Sequence, residues 1–306
     1  MHVIVGAGPV GSSAARQLAE AGEQVRLVTR SGSGPVHPNI ERVAADASDS
    51  AALSRLSQGA VAIYNCANPP YHTWPTDWPP MHEAMLAAAE TSGAPLAITG
   101  NLYVYGPVDR PMTEDMPLAA PTVKGQVRVK MWRDAVEAYR TGRISGVTEV
   151  RGSDYLSPRN SVIEMAMPGL RANKTIRLPG PLDNPHTFTY TGDVATALIA
   201  LGRDPRAWGS AWHVPSPAPM TMRQAVERLA AVGGFELPRL RSYSKAAVRA
   251  AGLFDRRTRE FIEMSYQWER PFVLDATLTA ATFGLSATDV DEAIRASIPA
   301  DEPVAA

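Results

Sequence analysis

Apolar runs alternate with helix-period segments over the first half of the chain. Residues 3–5 (V-I-V) predict a short buried strand, residues 12–21 an Ala-rich helix that Gly22 stops, and residues 24–29 a second strand. Further strands are predicted over 40–44, 60–64, 95–99 and 146–151, with helices over 51–56, 81–91 and 122–141 between them. A Gly/Pro/Ser loop fills 31–39, and an aromatic, proline-rich loop fills 71–80. Strand and helix alternating in this way predict an α/β chain built on a parallel, doubly wound sheet. From Gly152 the rhythm breaks into short strands, Pro-containing turns and helices over 222–232, 244–251 and 256–267. The predicted organisation is a core of residues 1–151 to which 186–214 return, and a smaller substrate-binding region from 152–185 and 215–306.

The junction of the first strand and helix carries the chemistry. Gly6-Ala7-Gly8-Pro9-Val10-Gly11 is a complete G-x-G-x-x-G, set inside a strand–turn–helix–strand unit. Gly6 permits the tight turn, Gly8 lets a pyrophosphate approach the backbone, and Gly11 lets helix and strand pack closely. The helix start adds free N–H groups and a positive dipole end. A Rossmann-type dinucleotide site follows. The second strand ends Thr29-Arg30-Ser31, without the acidic side chain that usually accepts hydrogen bonds from the adenosine ribose. A guanidinium and a hydroxyl suit a 2′-phosphate, so NADP(H) is the expected cofactor.

Bulk properties narrow the partners. The formal net charge is −1 over 306 residues, and no basic run interleaves with aromatics, so nucleic acid is not an expected partner. The densest cationic stretch, 239–259, has apolar residues at helical spacing and reads as a solvated helix face. One cysteine, Cys66, excludes an intramolecular disulfide and fits a reducing, cytoplasmic setting. No apolar stretch approaches the roughly 20 residues that span a bilayer. A small-molecule substrate is expected, in a monomer or a homodimer, and no His, Cys or carboxylate stands at metal-ligand spacing from His72 or His82.

The order of features resembles the extended short-chain dehydrogenase/reductase superfamily, the group of NAD(P)-dependent epimerases and dehydratases, from residue 3 to about 298. The landmarks are the glycine loop, Ala45-Asp46-Ala47, Tyr105-Gly106, Glu114 to Pro117, Val150-Arg151-Gly152 with Tyr155, and Tyr190-Thr191-Gly192-Asp193-Val194-Ala195. The G-x-G-x-x-G spacing, in place of the commoner G-x-x-G-x-x-G, is similar to atypical members. The resemblance implies that Asp46 contacts adenine and that Cys66, Ala67 and Asn68 lie beside the cofactor, with Thr99 at the end of the fifth strand.

The chain departs from that family at its catalytic signature, Tyr-x-x-x-Lys on a helix with a Ser or Thr before it. Counting from Tyr105-Gly106, the Ser/Thr place falls on Asn101, Lys124 takes the Tyr place, and Arg128 takes the Lys place. Three explanations stand. Lys124 replaces the acid, its ammonium made more acidic by Arg128 one turn away and by burial, with Asn101 polarising the carbonyl. Alternatively, Lys124 and Arg128 only hold ribose and phosphate groups, and the substrate supplies its own proton, as a phenol beside a ketone would; atypical ketoreductases of antibiotic biosynthesis, which this chain resembles, lack the same tyrosine. In the third, both are solvated helix residues. Tyr103 offers a substitute acid, and Tyr105 either that or a packing residue. Tyr71, Trp74, Trp78 and Tyr155 are candidate substrate contacts for a flat aromatic molecule. The leading expectation is an NADPH-dependent ketoreductase of a sizeable, polyketide-type substrate. An NADP(H)-sensing regulator comes next, and a sugar-nucleotide epimerase or dehydratase third.

Overall fold

The computed structural model describes residues 1–244, 248 and 253–299. Seven parallel strands form the main sheet: β1 (His2–Val5), β2 (Val25–Thr29), β3 (Ile40–Ala44), β4 (Ile63–Asn65), β5 (Leu96–Asn101), β6 (Val147–Gly152) and β10 (Ser210–His213). Their order is β10-β6-β5-β4-β1-β2-β3, so the winding reverses between β1 and β4. All six pairings are parallel. In such sheets the crevice beyond the strands' carboxyl ends, at the reversal, is where ligands bind.

Helices cover both faces. On one, α1 (Pro9–Glu20) and α6 (Thr191–Gly202) pack through Ala14, Leu18, Val194 and Leu198 against Ile4 and Leu27. On the other, α2 (Ser50–Leu56), α3 (Trp74–Ser92) and α4 (Val123–Arg140) bury Leu53, Met85 and Trp132 against Val3, Val5 and Ile98. The fully buried strands explain why the parallel sheet reads as apolar runs. A separate apolar cluster joins α5 (Val162–Arg171), β8 (Ile176–Leu178), α7 (Met222–Gly233) and the helix Val290–Ser297. β7 (Asp154–Leu156) pairs with β9 (Phe188–Tyr190), and β8 with β11 (Leu240–Ser242), in two small parallel sheets.

The aromatic segment departs from expectation. A 3₁₀ turn covers Tyr71–Thr73, and α3 begins at Trp74, although Pro79 and Pro80 lie inside it. Two missing backbone donors disfavour a helix there. Trp74 and Trp78, four residues apart on one face and almost fully buried, override that penalty by packing. The predicted helix over 244–251 falls largely outside the described residues, as does the acidic end, 300–306. The helix predicted over 256–267 is two, Arg256–Glu263 and Tyr266–Glu269.

Candidate active site

The glycine loop is built as its spacing requires. Gly6 has φ +104°, and a Cβ there would meet the Cys66 carbonyl oxygen at 2.6 Å. A Cβ on Gly11 would stand 2.0 Å from the Gly6 oxygen, which is the close helix–strand contact. Around Gly8 a Cβ would meet nothing within 4 Å, so the backbone at the start of α1 is open to an incoming group. Pro9 opens α1 and has no N–H to leave unpaired.

From this loop a cleft of about 730 Å³ runs along the carboxyl ends of the strands. At one end it is walled by Arg30, Ser31, Ser33 and Asp46, with Pro9 and Val10 near the turn. Arg30 and Ser31 are exposed, and the Ser31 hydroxyl donates to Ser33 Oγ at 2.9 Å. The Asp46 carboxylate accepts from the Ser48 N–H at 2.8 Å and its hydroxyl at 2.7 Å, which hold it below its usual range. Ala67, Asn68 and Thr99 follow along the floor beside Cys66, whose thiol burial pushes up to about 12. The open backbone at Gly8, the free start of α1 and the carboxylate of Asp46 together fit an adenine dinucleotide lying along this cleft.

At the far end the wall changes character. Asn101, Tyr103, Tyr71, Trp74, Arg128, Asp154, Tyr155 and Gln267 meet there. The Tyr71 and Tyr103 hydroxyls are hydrogen-bonded to each other. Asn101 caps the turn after β5 by accepting from the Tyr103 N–H at 3.1 Å, which leaves its amide N–H groups for another partner. Burial raises the Tyr71 and Tyr103 phenols well above their ordinary value and Tyr155 to about 12, so all three are protonated at neutral pH.

Lys124 is not on this wall. Its side chain, 1% exposed, is ion-paired with Glu260 and Glu263 of the helix Arg256–Glu263, and its backbone N–H donates to Glu263 Oε1 at 3.0 Å. The expected like-charge pressure from Arg128 is therefore corrected: the Lys124 ammonium is ion-paired with the two glutamates and lies 5.3 Å from the Tyr71 ring centroid. Trp78 also leaves the expected set. It faces inward on α3, under Arg128, while Trp74 reaches the wall. Tyr105 is buried, its hydroxyl accepting from Arg151 at 2.8 Å and lying 2.7 Å from His213 Nε2. His213 Nδ1 stands 2.7 Å from the Asp275 carbonyl, so Nδ1 carries the proton and Nε2 accepts from Tyr105.

Asp154 and Gln267 were missed in the sequence reading. Asp154 adjoins the chosen Tyr155, and its Oδ2 accepts from Trp268 Nε1 at 3.0 Å and lies 3.1 Å from His186 Nε2. Gln267 sits among Met264, Tyr266 and Trp268, whose spacing does signal an inward face. Among the described residues no group of three His, Cys, Asp or Glu side chains could hold a metal ion, and no helix is long and apolar enough to cross a membrane.

Residues 2–214, from the first strand to just past β10, match the family described as the NAD dependent epimerase/dehydratase family. The chain belongs to it. No curated protein matches the chain. Among solved structures, UDP-glucose 4-epimerase of Thermotoga maritima with UDP-glucose superposes with a TM-score of 0.79 at 15% identity, covering 97% of both chains. The dTDP-glucose 4,6-dehydratase DesIV of Streptomyces venezuelae, with NAD and TYD bound, gives 0.78 at 18% identity over 97% of this chain and 96% of the other. MoeE5 in complex with UDP-glucuronic acid and NAD gives 0.78 at 19%, over 97% and 98%. At such identities the likeness establishes the fold alone.

Proposed function

We propose that this chain is an NADP(H)-dependent oxidoreductase that reduces a carbonyl group, with Tyr103 giving the proton. The observation that carries the reading is the place of Tyr103, on the cleft wall two residues after Asn101 and hydrogen-bonded to Tyr71, while Lys124 is held away by two glutamates. NADPH, when bound, supplies the hydride. The glycine loop and the start of α1 hold its pyrophosphate, Asp46 its adenine, and Arg30 with Ser31 its 2′-phosphate. The Asn101 amide orients the substrate oxygen, Tyr103 protonates it, and Tyr71 passes on a replacement proton that solvent restores.

Tyr103 is protonated at neutral pH, the form that carbonyl reduction uses at its start, and burial makes it a weaker acid than a free phenol. Tyr71, Trp74 and Tyr155 remain as an aromatic face, which favours a sizeable substrate with an unsaturated part. That the cleft continues past the cofactor floor to this wall favours turnover over a sensor that only binds the dinucleotide.

A second reading is a nucleotide-sugar epimerase or dehydratase. It is favoured by the family match, by neighbours that hold NAD with UDP-glucose derivatives or TYD, and by Asp154, a carboxylate at the same end that could act as base.

NADPH oxidation against a panel of aromatic ketones separates these. Tyr103→Phe lowers kcat by about 10²–10⁴, while Lys124→Met stays within about tenfold of the parent. The reverse result returns the acid role to Lys124, and no loss in either points to a proton from the substrate. Turnover of UDP- or dTDP-glucose without any ketone reduction establishes the second reading. Arg30→Ala weakens NADPH by about tenfold or more while sparing NADH; equal weakening of both defeats the 2′-phosphate assignment.

A further inference from the structure

Arg128 is a buried cation without an anion among the described residues. It is 5% exposed and lies on the cleft wall at the substrate end. Its guanidinium stacks 4.5 Å from the Trp78 ring centroid and 4.9 Å from that of Trp74. Nη1 donates to the Thr99 carbonyl at 3.2 Å, and Nε–H finds no acceptor among the described residues. No carboxylate of those residues forms an ion pair with it. Glu149 acts on it only from a distance, its own ion pair being with Arg151.

A guanidinium cannot shed its proton, so the charge persists after burial. Stacking on indoles offsets roughly 2 kcal/mol of the desolvation, and one backbone carbonyl adds a single hydrogen bond. Neutral tyrosines complete its surroundings, since Tyr71, Tyr103 and Tyr155 are the other groups that act on it. The guanidinium is thus held rigid by two rings, lines the cleft, and has no counter-charge of its own among the described residues.

We propose that the substrate carries a carboxylate, seated on Arg128, beside the carbonyl that the chain reduces. Arg128 is then the specificity-determining residue. The inference rests on the oxidoreductase reading for the carbonyl, but the anion site stands on its own observations. The competing use of Arg128 is to hold the cofactor ribose, which a lysine would do as well.

The test is binding of benzoate against its neutral isostere benzamide, by calorimetry on protein saturated with NADP⁺. The expected result is a preference for benzoate of about tenfold or more, falling to near unity in Arg128→Met, with NADPH affinity within about threefold of the parent. No preference in the parent protein overturns the proposal without recourse to any variant. A preference that survives Arg128→Met overturns it too, by assigning the anion to another cation such as Arg159. So does an NADPH affinity that collapses in Arg128→Met and returns in Arg128→Lys. Should Arg128→Met not fold, Arg128→Lys gives the same reading through partial loss of the preference, because a point charge replaces the planar fork. Failure of the parent to bind either NADPH or NADH would instead defeat the oxidoreductase reading, and the benzoate preference is then measured on the protein alone.

Discussion

Among the described residues three lysine or arginine side chains are buried, and the contrast among them bears on the proposed site. Arg151, on β6, is 1% exposed and bound to Glu149 and the Tyr105 hydroxyl. Lys124, on α4, is equally buried and bound to Glu260 and Glu263. Arg128, one turn along the same helix, has two indole rings and, among the described residues, no carboxylate partner. The first two are off the cleft wall and the third is on it. Structure pairs a buried charge where it is only a support, and leaves one open where a ligand is to complete it.

The largest effect should come from breaking the completed pair. Glu149→Gln leaves Arg151 charged, buried and short of its anion, at a cost of about 3–5 kcal/mol in stability. Urea denaturation measures it. Replacing both residues by methionine should recover most of the loss, because the desolvation of two ions disappears with the attraction between them. A Glu149→Gln variant as stable as the parent would mean that Tyr105 and water suffice for Arg151, and the contrast with Arg128 would lose its force.

His82 shows what a basic group does when burial leaves it no partner and it is able to deprotonate. It is 3% exposed on α3, neither ring nitrogen has a hydrogen-bond partner among the described residues, and burial lowers it to about 4 against the opposing charges of Asp134 and Glu83. The folded protein therefore refuses a proton that the unfolded chain accepts near pH 6.5. Its contribution is fully present above the unfolded value and is lost as pH falls from about 6.5 towards 4, about 3 kcal/mol in all. His82→Leu should flatten that acid limb and match or exceed the parent's stability at pH 7. Identical acid limbs in the two proteins would show that His82 takes up its proton in the folded state.

These contrasts also mark what was legible in the sequence. The glycine loop was, because Gly6, Gly8 and Gly11 act within six residues of chain and their spacing states their tasks. So was the alternation that builds the parallel sheet. The start of α3 was not: its prolines argue locally for a loop, and only the burial of Trp74 and Trp78 against Arg128 decides otherwise. The positions of Lys124 and Arg128 could be read along the helix that follows Thr122, but their fates could not. Both glutamates that bind Lys124 come from well over a hundred residues away, on a helix that reads simply as amphipathic, and nothing near Arg128 announces that no anion will reach it. Sequence placed the charges, and tertiary contact decided which were satisfied.

The smallest effect tests the partly open pair. Glu260 and Glu263 are 23% and 24% exposed, against 1% for Lys124. Neutralising both as glutamine leaves acceptors in place, and water can reach them. The expected loss is about 1–2 kcal/mol, well below that of Glu149→Gln. Because the helix Arg256–Glu263 packs against the turn Tyr71–Thr73, the same variant should speed hydrogen exchange at 71–74 while leaving the backbone of β6 protected. NADPH affinity should stay within about twofold, since neither glutamate nor Lys124 lines the cleft. A large fall in NADPH affinity would place Lys124 in the cofactor's reach after all, and the division between completed and open cations would have to be drawn again.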